Sequence, residues 1–110
     1  MNRLSISAAA GGLLRALLAR IPQERDRILL TEQSSTDWQS LTFVGERHEF
    51  RFRVHGPAAR NVFDLLTAGL AEAEFSIPGH VVADIAVESA PIHEPDGSIS
   101  FTIEALTIEE

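Results

Sequence analysis

The apolar residues near the start of the chain recur at the spacing of an α-helix. From about Ser7 to Arg20 they form one stripe, made up of Leu13, Leu14, Leu17 and Leu18 and continued by Ile21. Ser5 or Ser7 can cap this helix, and Pro22 ends it. Because a glycine costs on the order of 1 kcal/mol inside a helix, Gly11-Gly12 favours a helix that begins only after this pair.

The period then changes to that of β-strands. The short apolar run Ile28–Thr31 is compatible with a strand, and the polar segment Gln33–Asp37 is typical of a loop. Two further strands are predicted at Trp38–Val44 and Arg47–His55, with Gly45-Glu46 as the tight turn between them. These two strands would form a hairpin.

The second strand of this hairpin alternates cleanly between apolar and polar residues. Phe50, Phe52 and Val54 lie on one face, and the other face carries Glu49, Arg51, Arg53 and His55. The polar row is either a solvated sheet face with cross-strand ion pairs or, as the densest basic patch of the chain, a contact between subunits.

The second half of the chain repeats the order of helix and hairpin. Pro57 opens a helix that ends near Ala73, with a stripe formed by Ala59, Val62, Phe63, Leu66 and Leu70. A strand over Val81–Ala90 and another from Ile99 to Glu104 flank the turn Pro95-Asp96-Gly97. The element order predicts an α+β domain, an antiparallel sheet of about four strands with two helices packed on one face.

The alternation of the last strand shifts after Ile103. Leu106 and Ile108 then fall on the face opposite Ile99 and Phe101. Either a β-bulge returns them to the core, or they form an apolar strip that a partner covers, and we favour the partner. Candidate subunit-interface residues are therefore those of the polar row and of this last strand: Arg47, Glu49, Arg51, Arg53, Glu104, Leu106 and Ile108.

Composition limits the classes of protein to which the chain can belong. Its 110 residues, 45% hydrophobic and 23% charged, suit a single globular domain over 1–110. The absence of cysteine excludes disulfides, thiolate metal sites and thiol catalysis. The apolar stretch Ala8–Ile21 contains Arg15 and Arg20 and is too short to cross a membrane or to serve as a signal peptide, so we expect a cytoplasmic protein.

The charges divide the chain into two unlike halves. All nine basic residues are arginines between Arg3 and Arg60, where six acids give a net charge of +3, whereas residues 61–110 carry ten acids and no basic residue, a net charge of −10. This asymmetry either arises by chance or serves head-to-tail association. The acidic half argues against tight or sequence-specific DNA binding.

No pattern of residues predicts catalysis, a cofactor or a metal. The four histidines lack metal-binding spacing and are expected on the surface or in loops. His80 and Asp84 resemble an acid/base pair, but no nucleophile accompanies them. There is no phosphate-binding glycine motif, and Trp38 is expected to seal an edge of the core rather than to serve as an exposed anchor.

Three segments resemble the tail-terminator, or tail-completion, family of long-tailed phages and of alphaproteobacterial gene transfer agents. They are Thr36–Ser40, Gly45–His48 with the strand that runs on to Val54, and Ala73–Asp84. The segment Pro22–Thr31 departs from the family pattern, because many relatives carry a proline-rich stretch there. The resemblance covers most of the chain.

The resemblance implies a structural protein of a phage-like particle that carries no cofactor or catalytic residue. Such proteins form a homo-oligomeric ring, typically of six subunits, that caps the tail tube and meets the head-side connector. Assembly would take place in the cytoplasm, and the protein would then remain in the particle. Two other interpretations stay open: a ligand-binding domain with a pocket near Phe75, His80 and Asp84, and a dimeric regulatory module paired through sheet edges.

Overall fold

The computed structural model describes residues 6–110, which form one antiparallel sheet and two α-helices. In chain order the elements are α1 Ala8–Leu18, a 3₁₀ helix Pro22–Arg27, β1 Ile28–Gln39, β2 Val44–Val54, α2 Ala59–Thr67, a 3₁₀ helix Leu70–Glu72, β3 His80–Val87, β4 Ile92–His93 and β5 Ile99–Glu109. The long strands lie in the order β1-β2-β5-β3, and the short β4 pairs with the start of β5. None of the helices in residues 6–110 is long and apolar enough to cross a membrane.

Both helices pack on the same face of the sheet. Alternate residues of β2 and β5, including Phe52 and Phe101, are buried against apolar residues of α1 and α2. The Phe101 ring lies 5.5 Å from Phe52 and meets Phe63 of α2 edge-on at 4.8 Å, a favoured aromatic geometry. Each such buried side chain contributes about 1.5–3 kcal/mol. The predicted α+β class, with two helices on one face, is confirmed.

Helix α1 begins before its glycine pair, so the prediction of a start after Gly11-Gly12 was wrong. Ser7 caps the helix, since its Oγ accepts a hydrogen bond of 3.1 Å from the N–H of Ala10; the alternative cap, Ser5, lies outside the described residues. A Cβ added at Gly12 would lie 2.9 Å from Cγ2 of Ile77. The close packing of α1 on Ile77 therefore offsets the cost of glycine in the helix.

The first hairpin is longer than predicted and turns at a different place. The expected loop Gln33–Asp37 belongs to β1, and Gly45-Glu46 lies inside β2. The turn is Ser40–Phe43, where the N–H of Ser40 donates to the Phe43 carbonyl at 2.8 Å and Ser40 Oγ accepts from the N–H of Phe43 at 3.1 Å. Because β1 is an edge strand with polar residues on both faces, its sequence lacks the alternation that identifies a half-buried strand.

The second half keeps its predicted order, but its helix and first strand are shorter than predicted, and its last strand, β5, runs on to Glu109. Helix α2 ends at Thr67 instead of near Ala73. Gly69, in the left-handed region with a φ of 60°, separates α2 from the 3₁₀ helix Leu70–Glu72. Strand β3 ends at Val87, before the predicted Ala90. The predicted turn at Pro95-Asp96-Gly97 leads into β5.

Candidate assembly surface

The sheet face opposite the two helices carries no helix among residues 6–110. Burial and strand register assign its side chains, and we call this surface the open face. It comprises Leu29, Glu32, Ser34, Thr36 and Trp38 of β1; Gly45, Arg47, Glu49, Arg51 and Arg53 of β2; Ser100, Thr102, Glu104, Leu106 and Ile108 of β5; Val81, Asp84 and Ala86 of β3, with Glu88 just beyond it; and Ile92 of β4.

The structure brings all seven candidate interface residues together on this open face. They lie on the adjacent strands β2 and β5, where Arg47 faces Leu106 and Glu49 faces Glu104. Ile108 lies at the same end of the sheet as Arg47. The sequence therefore identified a contiguous surface, although its role as a subunit contact remains a prediction.

No bulge interrupts β5, so the bulge alternative for Leu106 and Ile108 was wrong. The inward alternation continues through Ala105 and Thr107, and both strand registers keep Leu106 on the open face. Leu106 is nevertheless only 9% exposed, between Arg47 on β2 and Asp84 on β3. Its burial is thus largely achieved within the single chain.

An apolar row crosses one end of the open face. Trp38, Gly45, Ile108 and Val81 occupy consecutive strands of one cross-strand row. Trp38 therefore does not seal the core, as expected from the sequence, but lies half-buried on the open face opposite Gly45. A glycine in this position permits the close approach of the β5 backbone, because a Cβ there would overlap the carbonyl oxygen of Thr107.

The charges of the open face are divided between its strands. On the open face, strand β2 carries three arginines and one acid, and two of the arginines form exposed ion pairs: Arg51 lies 3.6 Å from Glu32 and Arg53 lies 3.5 Å from Asp96. Exposed pairs of this kind contribute little to stability. The basic first half and the acidic second half of the sequence thus meet side by side in the sheet, where β2 pairs with β5.

Three carboxylates cluster beside the arginines. The oxygens of Glu49, Glu88 and Glu104 lie within 4.8 Å of one another. The pKa of Glu104 is raised, by desolvation within the sheet and by the neighbouring carboxylates of Glu88 and Glu49. The cluster therefore carries a local excess of negative charge.

A buried histidine on the helix-covered side was missed by sequence reasoning. His48 is 1% exposed; its Nδ1 lies 2.7 Å from Ser35 Oγ, and its Nε2 lies 2.8 Å from Thr107 Oγ1. The ring therefore links β1, β2 and β5. Its place in the apolar alternation, two residues before Phe50, is the signal that could have identified it as buried.

The surroundings of His48 favour its neutral form. Burial lowers the pKa of His48, an effect opposed by Glu46 and reinforced by His80. Glu46 Oε1 lies 3.9 Å from His48 Nε2 and accepts a hydrogen bond of 2.8 Å from Ser7 Oγ, the cap of α1. With a hydroxyl on each ring nitrogen, the histidine acts as a structural link between strands.

The suspected acid/base pair is not assembled. His80 lies on the helix-covered side and its ring Nδ1 donates to the Pro78 carbonyl at 3.0 Å, whereas Asp84, beyond a register shift in β3, lies on the open face opposite Leu106. The two side chains are therefore on opposite faces of the sheet. The interpretation of a ligand pocket that both side chains line is therefore wrong.

The comparisons with known proteins identify a fold. No protein-family model matches the sequence, and no curated protein matches it significantly. A chain of a solved structure described as "Virion of native gene transfer agent (GTA) particle" is similar in structure, with a TM-score of 0.63 and 14% sequence identity over 94% of this chain and 99% of that chain. The chain therefore shares, over nearly its full length, the fold of a component of a gene transfer agent particle.

Proposed function

We propose that the chain is a structural subunit of a phage-like particle, a tail terminator that forms a ring on the end of the tail tube. The observation that carries the proposal is the open face: a sheet surface on which no helix of residues 6–110 packs, and on which arginines and carboxylates lie side by side. The fold shared with a gene transfer agent particle component supports this role.

The open face supplies the contact between subunits. A closed ring requires each copy to present unlike surfaces to its two neighbours, and unlike charges favour a single register of association. The contact uses Arg47, Glu49, Arg51, Arg53, Glu104, Leu106 and Ile108. Since much of this surface is charged and exposed, assembly weakens as salt rises.

The ring contains six copies and has two further partners, the tail tube protein and the head-side connector protein. DNA passes through its centre without being held, because the acidic residues of the second half repel phosphates. The protein assembles in the cytoplasm and remains in the finished particle. Its role is structural, and no cofactor takes part in it.

Tube capping tests this function directly. Tail-tube protein of the same particle is allowed to polymerise with increasing amounts of this chain, and tube lengths are measured by negative-stain electron microscopy. We expect shorter tubes with a ring-shaped density at one end. Tubes of unchanged length without terminal density, at a molar excess of the chain, would contradict the proposal.

A further inference from the structure

The tip of the β1–β2 hairpin is an exposed apolar surface. We call Ser40–Val44 the hairpin tip; within it, Leu41 is fully exposed, and Phe43 and Val44 are 54% and 52% exposed. The eight residues Trp38–Gly45 include no charge. Strand β5 pairs with β2 only as far as Gly45, so the tip projects beyond the neighbouring strand.

Two exposed apolar residues lie at the opposite end of the open face. Leu29 and Ile92 are 49% and 53% exposed and lie at the two ends of one cross-strand row, with Arg53 and Ser100 between them. We call this row of four residues the shelf. Because the stem of an arginine side chain is itself apolar, the row offers apolar contacts on both sides of a positive charge.

The charges around the tip and the shelf are complementary. Asp37, which is exposed, and Glu46 lie next to the tip and face each other across β1 and β2, so the base of the tip carries two acids. Arg51 and Arg53 lie at the shelf, and their ion pairs are exposed enough to exchange for other carboxylates at little cost. The acids at the tip of one copy would therefore attract the arginines at the shelf of another.

One chain cannot bring its own tip to its own shelf. Gly45 and Arg53 lie eight residues apart on β2, which corresponds to roughly 26 Å of extended strand. We propose that the hairpin tip of one copy docks on the shelf of a second copy, with Leu41 and Phe43 against Leu29 and Ile92. This contact deepens the proposed function, on which it rests, by naming the segments that join neighbouring subunits.

Site-directed cross-linking tests the contact, since the chain has no native cysteine. A Thr42→Cys chain is mixed with an Ala90→Cys chain and treated with a short bismaleimide. Both positions are exposed and lie beside the tip and the shelf, so Phe43 and Ile92 stay intact. We expect a dimer linked through positions 42 and 90. The matched control replaces Ala90→Cys by Leu65→Cys, on α2 and 59% exposed, and we expect at least ten times less product. Equal yields from the two mixtures, or no product because the chains stay monomeric, would overturn the inference.

A second test mixes a variant of the tip with a variant of the shelf and measures their association. A Phe43→Ser chain keeps an intact shelf, and an Ile92→Glu chain keeps an intact tip. We expect each variant alone to be monomeric and an equimolar mixture to form a 1:1 dimer, because only one working contact remains. Rings that persist in Phe43→Ser would overturn the inference and leave the proposed function standing. Linkage of 42 to 90 in particles that never form rings would support the contact and refute the ring.

Discussion

Gly45 is the position at which the sheet should be least tolerant of a single added carbon. In Gly45→Ala, the new Cβ would overlap the carbonyl oxygen of Thr107 and lie 3.0 Å from its carbonyl carbon and 3.1 Å from Cα of Ile108. All three are backbone atoms of β5. Since a backbone cannot rotate away as a side chain does, β2 and β5 must separate at this end.

The expected cost follows from what the separation disrupts. Forcing an extra carbon into a packed site costs about 1–3 kcal/mol, and each strand-pairing hydrogen bond that is weakened adds about 0.5–1.5 kcal/mol. We therefore expect Gly45→Ala to lower the free energy of unfolding by about 2–4 kcal/mol, a large share of the roughly 5–15 kcal/mol typical of a domain. Urea unfolding followed by far-ultraviolet circular dichroism measures the change.

Gly11→Ala is the matched control. The nearest atoms to a Cβ at Gly11 are 3.5 Å and 3.6 Å away, in the side chains of Arg15 and Ile6, so no clash arises. Alanine should stabilise α1 by roughly 0.5–1 kcal/mol. A cost below about 0.5 kcal/mol for Gly45→Ala would refute the assignment of Gly45 to the paired interior of β2.

Three further predictions concern charged groups. Because burial lowers the pKa of His48 below its ordinary value of 6.5, the unfolded chain takes up this proton first; stability should be complete above pH 6.5 and fall as the pH drops below it, and urea unfolding of wild type and His48→Gln should differ in this pH slope. Reversing Arg51 and Arg53 to glutamate should weaken self-association about tenfold in sedimentation while the circular dichroism spectrum stays unchanged. In Glu88→Gln, the pKa of Glu104 should move down towards its ordinary value, as nuclear magnetic resonance titration of the Glu104 carboxyl would show.

Each of these predictions has an outcome that contradicts it. If the free energy of unfolding depends on pH equally in wild type and His48→Gln, protonation of the buried imidazole does not cause the loss of stability in acid. Unchanged sedimentation of the variant with Arg51 and Arg53 reversed would show that this part of β2 is not in the subunit contact. Arg15 is exposed on α1, and Arg15→Glu serves as a control that should not change self-association. A Glu104 titration unaffected by Glu88→Gln would show that the carboxylates do not interact.

The strands and helices that alternate in hydrophobicity were predictable, because one face of each is buried. The stripe of α2 and the row Phe50, Phe52 and Val54 pack as the pattern indicated. Strand β1 was not recognised, because an edge strand with few core contacts needs no apolar alternation. The turn was misplaced because glycine suggested a tight turn at Gly45, where its actual role is to permit close approach to β5.

The candidate surface was predictable in its members but not in its form. The unusual shift at Leu106 and Ile108 correctly indicated a second apolar surface, although Leu106 is mostly buried by its own chain. The hydroxyl partners of His48 could not be predicted, since Thr107 lies 59 residues away in sequence. His80 and Asp84 lie on opposite faces of the sheet because of a register shift in β3, and no pattern of residues predicts this shift.

The mass of the particles in solution shows whether the chain forms a closed ring. Light scattering coupled to size exclusion, at low and moderate salt and over a range of protein concentrations, measures this mass. We expect one closed species, of about 72 kDa for six copies of the 12.0 kDa chain, which dissociates as salt rises. A strict monomer, or a two-fold dimer that never grows with concentration, would contradict it.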